Sequence, residues 1–364
     1  VWRDDASGGE DPEFSFSSFA EGTRVGALDE HAAGDPFFDT EPAAGVVSDP
    51  EEPGSRVTSI RSRRPLGVPG PRGGTDATGG YAPAPRGPGR NMPVAIGVGV
   101  IIAAVFALLC KLGPRYVMVL VVAVLGLGAV EFLDSVRRQG YQPAQLVGIV
   151  ATISLPLAAY WRGEAAIPVV LFVALLGACL WFAASGTIDS APLPNLAVTV
   201  LGIVYVGFLG SFAALILTMR NTLGDHHGTG TLVALVVGTV AYDIGGLVFG
   251  TSIGRTPLLP WISPNKTWEG LIGGCLAAFL AIIVVHIAKV KPWDLRGVHA
   301  IQLAIVVAIA APIGDLVESM LKRSLGVKDF GNLLPGHGGV LDRFDGLLFV
   351  LPAGYYMARM LNVA

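Results

Sequence analysis

The sequence predicts an all-α, polytopic membrane protein with about nine transmembrane helices, preceded by a disordered amino-terminal tail. Three observations carry this. The 364 residues are 52% apolar and only 15% charged, against about 25% charged in an ordinary soluble domain. Mean hydropathy is +0.59. Beyond Pro93, apolar runs near the length that crosses about 30 Å of hydrocarbon follow one another with short breaks. These features exclude a plain soluble globule, a fibrous chain and a disulfide scaffold. A β-barrel is disfavoured because its strands would alternate polar and apolar residues, and these runs are continuous.

Residues 1–91 form the first region. They are rich in Gly, Pro, Ser and Asp and have no periodic apolar pattern. Such a segment cannot bury enough apolar surface to offset its ordering entropy. Its charge is divided: residues 1–52 carry a net of −12 and residues 53–91 a net of +6. The stretch Pro65–Arg90 is dense in Pro and Gly and has the composition of a linker. The acidic start lacks the apolar core of a signal peptide. Arg61, Arg63, Arg64, Arg72, Arg86 and Arg90 suit an anionic lipid surface, or equally a solvated charge run.

Residues 92–364 form the membrane region. The apolar runs are 93–110, 116–133, 143–160, 165–184, 193–218, 229–250, 270–288, 298–314 and 346–361. Several contain Gly or Pro, which membrane helices tolerate because neighbouring groups satisfy the freed backbone. Cys110, Cys179 and Cys275 each lie inside such a run, lack metal-ligand spacing and read as buried small hydrophobes. With the amino terminus inside, loop Lys and Arg divide 11 inside to 8 outside, a bias toward a cytoplasmic amino terminus. Parity is firmer. The 251–269 loop and the 315–345 segment are separated by two spans and so share a face.

That face gathers the polar chemistry. Asp315, Glu318, Ser319, Lys322 and Arg323 recur at helical spacing and share one side of a helix, opposite Leu316, Val317, Met320 and Leu321. Ionisable groups at the end of a membrane helix line a wet cavity or pathway, or else form the solvated face of an interfacial helix. Lys328-Asp329 follows, then a Gly-rich turn from Gly331 to Gly339 with His337, Gly338 and Gly339. Such glycines let backbone N–H groups approach phosphate oxygens. His337 has either a structural or hydrogen-bonding role or a catalytic one. Asp342, Arg343 and Asp345 precede the last run. Two carboxylates beside an arginine suit a hard divalent cation and a phosphate, or form a plain surface ion pair.

Upstream, Asp243 lies near the end of the sixth run beside Gly245, Gly246 and Gly250. An intramembrane Asp among small residues is a functional candidate. Lys266 and Thr267 sit where the next helix starts and free N–H groups favour phosphate; Thr267 as a simple cap with Glu269 in the first turn is the other reading. Glu131 ends the second run, facing either the interior or the headgroups. His226 and His227 read as exposed loop residues, and His286 and His299 as interfacial.

The run SMLKRSLGVKDFGNLLPGHGGVLDRFD, Ser319 to Asp345, resembles the signature of the phosphatidate cytidylyltransferases, or CDP-diacylglycerol synthases. Ser319, Lys322-Arg323, Lys328-Asp329, His337-Gly338-Gly339 and Asp342-Arg343-x-Asp345 match its fixed positions. Asp243 to Gly250 and the Ser263 to Gly270 stretch are also similar, although the family often has Lys where this chain has Asn265. The resemblance covers residues 93–361 and not the tail. It implies a multi-pass enzyme of phospholipid biosynthesis that converts CTP and phosphatidic acid to CDP-diacylglycerol and pyrophosphate with Mg²⁺ or another divalent cation. On that reading Asp315 and Asp342 are the principal metal ligands, helped by Asp243, Glu318 and Asp345. Lys322, Arg323, Lys328, Arg343 and Lys266 bind phosphates, His337 assists at the triphosphate, and Thr267, Ser319, Asp329, Gly338 and Gly339 line the substrate site. The expected setting is the plasma or inner membrane, with the site on the cytoplasmic side. No nucleic-acid partner is expected, and the oligomeric state stays open, a homodimer included.

Two other classes fit less well. A CDP-alcohol phosphatidyltransferase would carry Asp-Gly-x-x-Ala-Arg, whereas Asp345-Gly346 is followed by Leu-Leu-Phe-Val. A transporter would use the charged stripe as an ion path, but duplicated halves are not evident.

Overall fold

The computed structural model describes residues 92–184, 191–219, 227–261, 263–294, 296–331, 333 and 338–362. The tail 1–91, His226 and His337 lie outside the described residues. Each apolar run is helical. In chain order the helices are α1 (Met92–Leu112), α2 (Pro114–Arg138), α3 (Gln145–Arg162), α4 (Ala166–Ala184), α5 (Pro192–Gly202), α6 (Leu209–Leu217), α7 (Gly228–Ile253), α8 (Trp268–Ile287), α9 (Gly297–Ser324) and α10 (Leu341–Met360). A π-helical segment, Ile203–Phe208, joins α5 and α6 into one rod, Pro192–Leu217. Among the described residues six rods are long and apolar enough to cross a membrane: α2, α4, Pro192–Leu217, α7, α8 and α9. The apolar part of α1 is shorter, Gly97–Leu112. Polar residues interrupt α3, and charge occupies both ends of α10.

The loop expected at 251–269 contains a small hairpin. Strand β1 (Pro257–Leu259) pairs antiparallel with β2 (Ser263–Thr267), opposing Pro257 to Thr267 and Leu259 to Ser263. Its carboxyl end runs into α8. Thr267 caps that helix, its hydroxyl accepting from Gly270 N–H at 3.1 Å. Glu269 in the first turn accepts from Thr256 backbone and hydroxyl. Thr267 is thus the N-cap of α8.

Close helix packing around the site depends on missing side chains. Helices α7 and α8 meet through Gly245, Gly250, Gly270 and Gly274; a Cβ on Gly270 would lie 3.0 Å from Gly246 O and 3.2 Å from Gly250 Cα. The same device joins α9 to α10, where a Cβ on Gly314 would lie 2.7 Å from Asp345 O and 2.9 Å from Gly346 Cα. Small residues of this kind let membrane helices approach without a hydrophobic driving force. Pro312 lies one turn before Asp315 and has no N–H for the Ala308 carbonyl. The Cys275 thiol donates to that carbonyl at 3.2 Å instead.

Two apolar cores result. The larger runs through α2, α3, α6, α7, α8, α9 and α10. The smaller lies toward the site and is built from Leu125, Phe132, Leu133, Val136, Tyr205, Val206, Phe330, Leu341 and Leu348. Large apolar side chains such as Phe172, Leu180, Ile244 and Leu276 point outward, as expected of surfaces covered by acyl chains. Two expectations are corrected. Cys179 is exposed because α4 turns most of its surface outward. His227 is buried because it leads directly into α7 at the packed end of the bundle.

Candidate active site

Helix α9 carries the charged stripe to its last three turns. Glu318 is 2% exposed, Asp315 and Lys322 are half-buried, and Arg323 is exposed. The opposite side of the helix packs Val317 and Leu321 on the smaller core, while Met320 is exposed. The i,i+4 spacing places Lys322 Nζ 2.6 Å from Glu318 Oε2. Lys322 also reaches across to Asp342 Oδ1 at 3.2 Å, tying α9 to the first turn of α10.

Gly314 and Gly346 allow the backbones of α9 and α10 to touch, and this brings Asp345 to Asp315 and Glu318. Carboxylate oxygens of these three lie within 4.8 Å of one another. Asp345 is buried and accepts from Gly346 N–H at 2.6 Å. Glu318 Oε1 is buried with no hydrogen-bond partner among the described residues. Lys266 pairs with Asp315, and Lys322 with both Glu318 and Asp342, while Asp345 adds a further carboxylate beside them. Carboxylates crowded with an unsatisfied oxygen and residual negative charge fit a hard divalent cation.

The hairpin supplies the second ammonium. Lys266 leaves β2 to meet Asp315 Oδ1 at 2.5 Å, and it donates to Ser319 Oγ at 2.9 Å and Asp315 O at 3.0 Å. The shared face required by parity is thereby realised. Asp342 is the principal anchor of the turn before α10. It accepts from Phe330 N–H at 3.1 Å and Gly339 N–H at 3.0 Å. Gly338 has a φ of +83°, and a Cβ on it would face Asp342 and Asp329. Lys328, Asp329 and Arg343 are exposed at the rim. Asp243 is surface-accessible on α7, within electrostatic reach of Asp345, Asp315, Arg343 and Lys266. It stands beside the three-carboxylate cluster and not in it.

Two residues at the site carried no clear signal in the sequence. Glu131 on α2 is buried and accepts from Leu341 N–H at 2.9 Å, so it faces the interior rather than the headgroups. Tyr205 lies in the π-helical segment, buried, its hydroxyl unpartnered among the described residues and within electrostatic reach of Glu318 and Asp345. Single π turns inside α-helices frequently mark functional sites. An isolated Tyr in an apolar run shows none of this beforehand.

A family model described as "Cytidylyltransferase family" matches residues 93–361, from α1 through the end of α10. The chain belongs to the cytidylyltransferase family. It is 34% identical to the phosphatidate cytidylyltransferase of Mycobacterium leprae over 295 residues, covering 76% of this chain and 89% of the relative. It is 29% identical to that of Bacillus subtilis over 285 residues, covering 75% of this chain and 99% of the relative. The protein YnbB of Escherichia coli is 37% identical over 158 residues, 43% of this chain and 52% of the relative. The family match spans every residue of the carboxylate and lysine cluster and excludes the tail.

Proposed function

We propose that the chain transfers the cytidylyl group of CTP to phosphatidic acid, giving CDP-diacylglycerol and pyrophosphate, at the cytoplasmic face of the plasma or inner membrane. The observation that carries this is the convergence of Lys266, Asp315, Glu318, Lys322, Asp342 and Asp345 at one end of the helix bundle. The phosphate of phosphatidic acid is already an anionic oxygen nucleophile. One of its oxygens bonds the α-phosphorus of CTP as the bond to the β-phosphate bridge breaks, and the electron pair leaves with pyrophosphate. No proton has to be removed from a fully ionised lipid phosphate. The barrier is electrostatic, because two anions must meet, and preorganised cations in a water-poor site lower it.

Asp315, Glu318 and Asp345 would hold a divalent cation, Mg²⁺ by the hardness of the ligands, with Asp342 and Asp243 the next carboxylates outward. A bound cation supplies charge neutralisation at the phosphoryl oxygens and the leaving group. The protein's own groups do the rest. Lys266 and Lys322 are oriented by carboxylates and stand ready to pair with phosphate. Arg343, Lys328 and Arg323 at the rim draw the triphosphate. The Lys266 side chain is 26% exposed, so a lipid headgroup could reach it while the acyl chains stay in hydrocarbon. CTP is a cytosolic nucleotide, and the loop charge bias supports a cytoplasmic position for this face.

The test is incorporation of radiolabelled CTP into chloroform-soluble product by protein purified in detergent, with phosphatidic acid present or withheld. Label should enter lipid only when phosphatidic acid is present. A transporter would give no labelled lipid under either condition, and that result would end the proposal.

A further inference from the structure

Glu131 is a buried carboxylate that this chemistry leaves without a task. It is 8% exposed near the end of α2, about two hundred residues from the groups it touches. Its Oε2 accepts from the N–H of Leu341, the first residue of α10, at 2.9 Å. Its Oε1 is buried without a partner among the described residues. Two glycines make room for it. A Cβ on Gly331 would lie 2.5 Å from Glu131 Cδ, and one on Gly339 would lie 2.7 Å from Oε2. The neighbouring Phe132 packs against Phe330, ring centroids 5.6 Å apart, and against Tyr205 at 6.3 Å.

These contacts fall on both ends of one loop. Phe330 and Gly331 are its entry; Gly339 and Leu341 are its exit. Asp342 ties the same two ends from inside the site through the Phe330 and Gly339 N–H groups. Glu131 grips them from α2. A first-turn N–H of α10 has no intrahelical acceptor, and the carboxylate satisfies it where water is scarce. We propose that Glu131 is a positioning residue for cytidylyl transfer: packed against Gly331 and Gly339, it holds the first turn of α10, so that Asp342 and Asp345 stay in register with Asp315, Glu318 and Lys322 on α9. This rests on the cytidylyltransferase reading above.

The role needs an acceptor oxygen and not a charge, which sets the test. Glu131→Gln keeps an oxygen for Leu341 N–H, and kcat should stay within about threefold of wild type. Glu131→Leu keeps the bulk without the acceptor, and kcat should fall about 30- to 100-fold, as small misplacements of catalytic groups do, with KM for CTP changed far less. Hydrogen exchange resolved to single amides should show Phe330, Gly339 and Leu341 losing protection in Glu131→Leu and keeping it in Glu131→Gln. Gly331→Ala offers an independent route: it should reproduce the loss of kcat in the wild type and add nothing in a Glu131→Ala background, a double-mutant cycle that reads the contact itself.

Wild-type kcat and protection in Glu131→Leu would overturn the proposal. Loss of kcat in Glu131→Gln equal to that in Glu131→Leu would also overturn it, because charge would then be what matters. If Glu131→Leu does not fold, Gly331→Ala and Glu131→Gln decide the matter. Wild-type protein that makes no CDP-diacylglycerol would refute the function, while the exchange pattern would still test the clamp.

Discussion

Gly314→Ala perturbs the site without touching any of its functional groups. The added Cβ would lie 2.9 Å from Gly346 Cα and 2.7 Å from Asp345 O. Carbon atoms pack at about 3.5 Å or more, so α9 and α10 must part locally by roughly 0.6 Å. Both obstacles are backbone, and neither can swing aside. Asp345 then recedes from Asp315 and Glu318, whose oxygens now share a 4.8 Å sphere with its own. Overpacking of this kind costs about 1–3 kcal/mol of stability, which a folded membrane protein can survive. Displacement of catalytic groups on the ångström scale costs on the order of 100-fold in rate. The assay is CTP incorporation into lipid at saturating substrates, with size-exclusion chromatography confirming a folded particle. A monodisperse Gly314→Ala protein with wild-type kcat would refute the claim that this helix contact sets the carboxylate geometry.

Further variants probe single contacts. Lys266→Met removes the ammonium from Asp315 and Ser319; kcat/KM for phosphatidic acid should drop at least about tenfold, the scale of one charge-assisted hydrogen bond, and an unchanged value would remove Lys266 from the site. Lys322→Met leaves Glu318 and Asp342 facing each other uncompensated. It should lower thermal stability in detergent by about 3–5 kcal/mol, whereas Glu318→Gln combined with Lys322→Met should recover stability without recovering turnover. Asp342→Asn should abolish turnover over a wide range of Mg²⁺ while membrane insertion is kept, and near wild-type activity would take Asp342 out of the machinery. Thr267→Ala removes the cap of α8 and should cost about 1 kcal/mol of stability with little change in the KM for CTP; a large rise in KM would restore a phosphate-binding role for its hydroxyl.

Much of this architecture is legible in the sequence because membrane helices announce themselves by length and continuity. All nine apolar runs became helices, and the stripe from Asp315 to Lys322 is readable because a 3.6-residue period places those groups on one face. Span parity brought Lys266 to the correct side, although only the folded hairpin shows it reaching Asp315. The hairpin itself was hidden, since Pro257, Pro260 and Pro264 argue against strands. Glu131 was hidden for a different reason: its partners are Gly331, Gly339 and Leu341, and a single chain read in order has no periodicity that links α2 to them. Tyr205 depends on a π segment, a shift of hydrogen-bond register that leaves no mark in residue type. The sequence pattern marks Asp342 as a metal-ligand candidate, but its anchoring of the Phe330 and Gly339 N–H groups depends on chain geometry that residue type does not encode.

Asp315, Glu318 and Asp345 would hold the proposed divalent cation between the ends of α9 and α10, where it would neutralise phosphate charge. Mn²⁺ bound in place of Mg²⁺ reports its neighbours directly by electron–nuclear double resonance. Wild-type protein with phosphatidic acid and a non-hydrolysable CTP analogue should show ³¹P couplings from both ligands to one protein-bound Mn²⁺, and Asp315→Asn and Asp345→Asn should each lose that bound ion. Mn²⁺ that binds both variants as tightly as wild type, or that couples to neither phosphate, would contradict it.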